Sequence, residues 1–403
     1  MDVLVTFTLC LASSLLLAEL FFRMGYPRVL GQILAGIILG LPLFRPYLFP
    51  AQSMEAINFL AEIGLVFFIL LTGMSVRLHG MKRVRRQAAL VSIISFFTPF
   101  TLGFIFATMM GYPKATSLIL GMCLSITAEA VGADILMEFD MLRSKIGDII
   151  VEAGMIDDVL GLISLTAVIS YVNTGNLNDL LRLPLEFMIF ISIIYFIGFK
   201  IYPSLARYIW REKSEIGVFT LSIIFAMIVV ILSQFMKLSA IIGAFLAGIV
   251  IQLSIKNRRE EKEIVEGLRI VTFGLVIPFF FINIGLNFEL SYFIHNLPFI
   301  LMLTVIASIG KFAGPIITSL DPKLTLKEAL LVGWGMNSHG AVELVIADIA
   351  LTTGLIGKDI FSAIVSMALL TTILSPIMFK RTLEHVVYHH KLKTKFHSPH
   401  LLP

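Results

Sequence analysis

Runs of apolar residues, each about as long as a bilayer is thick, recur along almost the whole of this 403-residue chain. A helix rises about 1.5 Å per residue, so crossing ~30 Å of hydrocarbon takes about 20 apolar residues, with a range of roughly 17 to 25. Thirteen runs meet that length: 3–22, 28–44, 54–76, 87–110, 115–138, 146–171, 185–203, 215–234, 238–255, 264–287, 295–318, 325–354 and 359–379. Backbone groups in lipid must be satisfied within their own segment, so such runs fold as helices. The expected class is an all-α polytopic membrane protein with about 13 transmembrane helices. Its charged fraction of 14% agrees, since soluble domains carry about 25%. Asp2 stands where a cleaved signal peptide would have a cationic start, so the first run reads as a retained helix.

Charge in the connections orients the spans. Odd-numbered connections such as RLHGMKRVRRQ, LRSK, RYIWREK and KNRREEK are rich in cations, whereas RPYLFPAQ, NTGNLND and NFELSYFIHN are poor in them. By the positive-inside rule the amino terminus lies outside and the carboxyl terminus in the cytoplasm, as an odd span count requires. The net charge of +4 thus reflects topology, and no nucleic-acid partner is implied. Cys10 and Cys123 fall in apolar runs and offer neither a disulfide framework nor a metal knuckle. No nucleotide-binding motif follows the last span, and no cofactor is expected.

The chain also echoes itself. LGQILAGIILGLPLF (30–44) in the second span is answered by IIGAFLAGIVIQL (241–253) in the ninth, and SITAEAVGAD (125–134) in the fifth by GWGMNSHGAVE (333–343) in the twelfth. Both pairs are seven spans apart, an odd number, so the second copy crosses the membrane in the opposite sense. That pattern predicts inverted-topology repeats, about 3–171 and 215–379, joined by a linker helix at 185–203. The transmembrane domain is then 1–379, followed by a basic cytoplasmic tail, 380–403. The fifth and twelfth spans are crowded with Ser, Thr, Gly and acids at their centres. Irregular backbone at that depth is tolerated only in protein or beside an aqueous cavity, which predicts two crossed, discontinuous helices around an ion site.

The sixth span carries GMIDDVLGLISL (154–165), with Asp157 and Asp158 adjacent in lipid-soluble surroundings. Each costs roughly 2.5–3.5 kcal/mol at a bilayer centre, so each needs compensation. Neighbouring helix positions point about 100° apart, which gives the two carboxylates different partners. Lys311, in SIGKFAGPII, lies deep in a span between Gly310 and Gly314, where a neighbouring helix can approach closely. Counted from the cytoplasmic ends, Asp157 is roughly 15 Å and Lys311 roughly 10 Å deep, an offset a lysine stem covers. One aspartate is then held by lysine and the other is left for a cation or a proton. Asp158, Thr127, Ser125, Glu129 and the freed carbonyls of the fifth span can supply the oxygens. His339 is the histidine placed to sense pH in the core, Asn337 belongs to the same break, and Glu343 can pair with His339 or with a cation from the facing half. Glu62 in the third span fits a cavity wall or a structural hydrogen bond.

These motifs, in this order, resemble the bacterial and archaeal cation:proton antiporters of the NapA and GerN type, within the monovalent cation:proton antiporter superfamily. The resemblance runs through nearly all thirteen spans, and the paired aspartates followed about 150 residues later by lysine are its most specific part. It implies a core domain bearing the crossed helices, a dimerisation domain, a homodimer in the prokaryotic plasma membrane, and an elevator-like displacement of the core. It implies that Asp158 binds the cation while Asp157 pairs with Lys311, and that exchange is electrogenic. Na⁺ is the expected cation, with K⁺ or Li⁺ as alternatives. Three positions depart from the pattern: Glu129 stands where a small hydroxyl is usual, His339 where arginine is usual, and Gln32 where relatives often have glutamate. A potassium efflux channel would call for a carbonyl filter such as TVGYG or an attached nucleotide-binding domain, and the sequence has neither. An enzyme would call for a cluster at metal-ligand spacing, whereas the histidines are mostly tail residues (His385, His389, His390, His397, His400).

Overall fold

The computed structural model describes residues 3–75, 85–142, 144–174, 183–211, 215–236, 238–255, 258–320 and 324–396. The cationic connection at 77–84, the end of the tail and the side chain of Glu129 lie outside the described residues. In chain order the helices are α1 (Val3–Arg23), α2 (Arg28–Leu39), α3 (Arg45–Leu48), α4 (Ala51–Ser75), α5 (Arg85–Met109), α6 (Lys114–Ser125), α7 (Glu129–Glu138) and α8 (Lys145–Thr174). There follow α9 (Leu183–Phe196), α10 (Tyr202–Arg211), α11 (Glu215–Phe235), α12 (Ala240–Ser254), α13 (Arg258–Val271) and α14 (Ile277–Leu286). The last are α15 (Leu290–His295), α16 (Leu297–Thr318), α17 (Leu326–Met336), α18 (Ala341–Thr352) and α19 (Lys358–Phe396). Single π-turns join α9 to α10 and α13 to α14.

The described residues contain helices and no strands, as expected. Among the described residues eight helical segments are long and apolar enough to cross a membrane, and α2, α6 and α12 are shorter apolar helices. The count of thirteen spans stays an expectation. The expected fifth and twelfth spans are indeed interrupted: α6 stops at Ser125 and α7 restarts at Glu129, while α17 stops at Met336 and α18 restarts at Ala341. The tail does not begin at a break, because α19 continues through Lys380 to Phe396.

The chain forms two compact units, each drawing on both ends of the sequence. The first comprises residues 1–79 and 162–288, and the second 80–161 and 289–403. In the first, α1 is built inside out. Its buried positions, Thr6, Cys10, Ser14 and Ala18, recur every four residues and are small or polar, whereas Leu15, Leu16 and Phe22 are exposed. In water that arrangement would be unfavourable; in lipid it is normal, because apolar tails solvate leucine as well as a core does.

The LAG echo has a packing role in this unit. Gly36 of α2 faces α14, where an added Cβ would lie 2.2 Å from the Ile282 carbonyl oxygen, and Gly285 faces back, 2.3 Å from that of Ile33. Gly248 of α12 and Gly73 of α4 form the matching pair, at 2.2 Å from Leu70 O and 2.1 Å from Phe245 O. The second and ninth spans thus use the same glycine for the same purpose, against partners that also correspond. In the second unit α5 packs on both α6 and α16, with Gly310 against Pro99 and Gly314 against Ser95 and the Val91 carbonyl. The neighbour anticipated for the glycines beside Lys311 is therefore α5.

Substituting Gly36→Ala drives a methyl into backbone and should destabilise the protein by about 1–3 kcal/mol, read as a lower unfolding midpoint in detergent. Gly274→Ala, where nothing lies within 4 Å, serves as the control and should not lower it.

Candidate ion site of the second unit

The site is assembled from α5, α6, α8, α16, α17 and α19 around the two helix breaks. Helix α8 starts cleanly, with the Ser144 hydroxyl accepting the Gly147 N–H at 3.0 Å. Helix α17 starts with a capping box: Thr325 N–H donates to Glu328 Oε2 at 2.8 Å and Glu328 N–H to Thr325 Oγ1 at 3.3 Å. Lys145 Nζ lies 3.1 Å from Glu328 Oε2, which ties the starts of these two helices together. The aspartate-bearing helix and the second broken span are thereby set in register before either reaches the site.

Both breaks free backbone groups that would be costly to leave unmet in a buried position. They meet each other: Ala128 N–H donates to Ser338 O at 2.7 Å. The carbonyls ending α6 are met by side chains from the other half of the sequence, Leu124 O by His339 Nε2 at 3.1 Å and Ser125 O by Lys311 Nζ. Neighbouring hydroxyls hold the second break. Thr371 Oγ1 accepts the His339 N–H at 3.3 Å, Thr372 Oγ1 donates to His339 O at 2.5 Å, and Asn337 Nδ2 reaches Ser375 Oγ at 3.5 Å.

Asp157 is fully buried and accepts from three side chains. Ser92 donates to Oδ1, and Thr127 and Lys311 donate to Oδ2 at 2.8 and 3.0 Å. A buried carboxylate is tolerable only when paired and hydrogen-bonded, and this set meets both conditions. Lys311, itself fully buried, is fixed from behind by Ser95 Oγ, which donates to its carbonyl at 3.0 Å. Asp158 follows at 3% exposure and interacts electrostatically with Lys311, as does Glu343.

Of the residues singled out in the sequence, Asp157, Thr127 and Lys311 are in direct contact, and the Ser125 carbonyl joins them while its hydroxyl donates back to Gly121 O at 2.7 Å. Asn337 and His339 stand at the same crossing. Glu343 is fully buried in the first turn of α18, and neither of its carboxylate oxygens has a hydrogen-bond partner among the described residues. Glu62 is exposed on α4 of the first unit, so it is not among the side chains gathered in the second. Ser92 and Ser95 of α5, and Thr371, Thr372 and Ser375 of α19, were not anticipated. Their only sequence signal is hydroxyls three or four apart within apolar runs, a pattern that hydroxyls bonding their own helix also produce.

Residues 9–385 match the sequence model of a family described as sodium/hydrogen exchanger, transmembrane. The chain is 28% identical to the Na(+)/H(+)-K(+) antiporter GerN of Bacillus cereus, over 93% of this chain and 94% of that one. It is 27% identical to a Na(+)/H(+) antiporter of Enterococcus hirae, over 89% and 92%. Among solved structures, the sodium proton antiporter MjNhaP1 from Methanocaldococcus jannaschii at pH 8 superposes with a TM-score of 0.72 at 19% identity, covering 93% of this chain and 95% of the other. That likeness is one of fold.

The clamp on Asp157 sets an order of thermal stabilities in detergent. Lys311→Ala strands a buried carboxylate and should cost about 3–5 kcal/mol. Ser92→Ala removes one hydrogen bond to a charged acceptor and should cost about 1.5–3 kcal/mol. Adding Asp157→Asn to Lys311→Ala should restore much of the loss, because the uncompensated charge goes with it.

Proposed function

This chain belongs to the transmembrane sodium/hydrogen exchanger family, and we propose that it works as a secondary antiporter in which one monovalent cation and protons compete for Asp158. The observation that carries the reading is the engagement of Asp157 by three donors. With Ser92, Thr127 and Lys311 all donating to it, its charge is committed to holding α5, α6, α8 and α16 together. Exchange of charge then falls to the next carboxylate along, about 100° round the helix. The family is one of transporters, which accords with a site built for binding and release.

In this mechanism a proton on Asp158 removes its charge and dismisses the cation, and a cation arriving from the other side displaces the proton. Ser125, Thr127 and Glu129 complete the oxygen set with the carbonyls of 126–128. The Thr127 hydroxyl spends its proton on Asp157 and keeps its lone pairs for a cation. A cation at Asp158 sets a second positive charge beside Lys311, so the ammonium gives up a proton as the cation enters and regains it when Asp158 is protonated, while Ser92 and Thr127 keep their hold on Asp157. More than one proton then moves per cation, and the exchange is electrogenic. Na⁺ is the proposed substrate; K⁺ and Li⁺ are alternatives of the same charge and ligand preference.

The same reading takes the second unit as the moving core and the first as the scaffold of a homodimer. It takes 3–171 and 215–379 as inverted repeats about a linker at 185–203, with the amino terminus outside and 380–403 in the cytoplasm of a prokaryotic cell. Alternating access of this kind places substrate near the midplane at discontinuous helices.

Reconstituted in vesicles with a trapped pH dye, the protein should dissipate an imposed pH gradient when Na⁺ is added. Asp158→Asn should reduce the response to that of empty vesicles. A wild-type protein that responds to none of Na⁺, Li⁺ and K⁺ sinks the antiporter reading, and an active Asp158→Asn protein sinks the site assignment.

A further inference from the structure

His339 is fully buried at the second break, and both of its ring nitrogens face backbone carbonyl oxygens. Nδ1 lies 3.2 Å from Asn337 O and Nε2 lies 3.1 Å from Leu124 O. A carbonyl only accepts, and a neutral imidazole has a single N–H; the opposite nitrogen offers a lone pair. Both contacts are hydrogen bonds only when the ring carries two N–H groups, that is, as imidazolium.

The surroundings bear on that charge from each side. Leu124 is the last residue but one of α6, and Asn337 directly follows α17, so both acceptors sit at the negative ends of half-helices, where a cation is favoured. Glu343 of α18, fully buried with neither oxygen hydrogen-bonded among the described residues, bears on Lys311. Asp157 and Asp158 of α8 likewise bear on Lys311, the former in direct contact with it. From α6 comes the buried thiol of Cys123, and α19 offers only the hydroxyls of Thr371, Thr372 and Ser375. Against a second cation stand burial itself and the Lys311 ammonium of α16.

We propose that His339 is a positioning residue, a removable strut whose doubly protonated ring bonds the ends of both half-helices and fixes their crossing. When the ring loses a proton, one carbonyl is released and the backbone at 126–128 loosens. Acidification therefore completes the strut and alkaline conditions open it. At a permanently charged arginine the strut would be fixed; here it titrates. The protonation state stands on geometry alone, whereas its consequence for transport rests on the antiporter reading above.

The direct test is nitrogen-15 NMR of histidine-labelled full-length protein in which the other seven of the eight histidines have been replaced, leaving His339 as the only labelled ring. Two N–H signals at pH 6 that collapse to one as the pH is raised to 9 are the expected result. One protonated nitrogen at pH 6, or two at every pH up to 9, overturns the strut. In vesicles, His339→Arg should keep exchange and lose the extra pH-dependent step in the apparent KM for Na⁺. His339→Gln should raise that KM about tenfold at pH 6 and much less at pH 9. Equal effects at both pH values overturn the transport part. Failure of the wild-type protein to exchange any cation would instead count against the antiporter reading and leave the NMR result standing.

Discussion

The Asp157–Lys311 pair is the interaction on which the second unit depends. Neither charge is tolerable at complete burial without the other, and their contact at 3.0 Å joins α8 to α16. The pair recruits further structure. Lys311 also caps the end of α6 through Ser125 O, and Asp157 draws in Thr127 from the break and Ser92 from α5. Four helices are thereby fixed by one buried carboxylate. The proposed cation site beside it would inherit that rigidity, since the backbone at 126–128 is held at Ala128 by Ser338 and at Thr127 by Asp157.

Much of this was legible in the sequence, for reasons that can be named. Apolar runs of bilayer length specify helices because lipid offers no alternative hydrogen bonds, and charge in the connections follows from insertion. Asp157, Asp158 and Lys311 stood out because a charge in such a run demands an explanation. The glycines and hydroxyls of the two breaks stood out as the wrong composition for a continuous span. Depth and stem length gave Lys311 one of the two aspartates and the resemblance made it Asp157; Lys311 Nζ lies 3.0 Å from Asp157 Oδ2.

What escaped the sequence has a physical cause as well. Ser92 and Thr371 are ordinary residues for a membrane helix, and only the third dimension separates a serine that bonds its own turn, as Ser366 does to Ser362 O, from one that bonds a distant carboxylate. The two units interleave along the chain, so no boundary in composition marks them. Thr127 was expected as a cation ligand, and its hydroxyl proton turns out to be directed at Asp157, a detail set by the turn of the backbone at the break. The LAG echo suggested symmetry, but its partners, Gly285 for Gly36 and Gly73 for Gly248, could not be told from the many other glycines of an apolar chain.

The hydrogen bond from Ala128 to Ser338 joins residues 210 positions apart, and the other groups that complete the first break, Lys311 and His339, lie 186 and 215 positions from their acceptors. A ribosome adding about 5–20 residues per second reaches Ser338 roughly 10–40 s after Ala128. For that interval the first broken span is made and its partners are not. Its open carbonyls and the carboxylate of Asp157 must be sheltered by water, by the insertion machinery or by an unbroken helix that later opens. The two halves therefore finish folding together, and the candidate ion site is among the last parts of the molecule to exist.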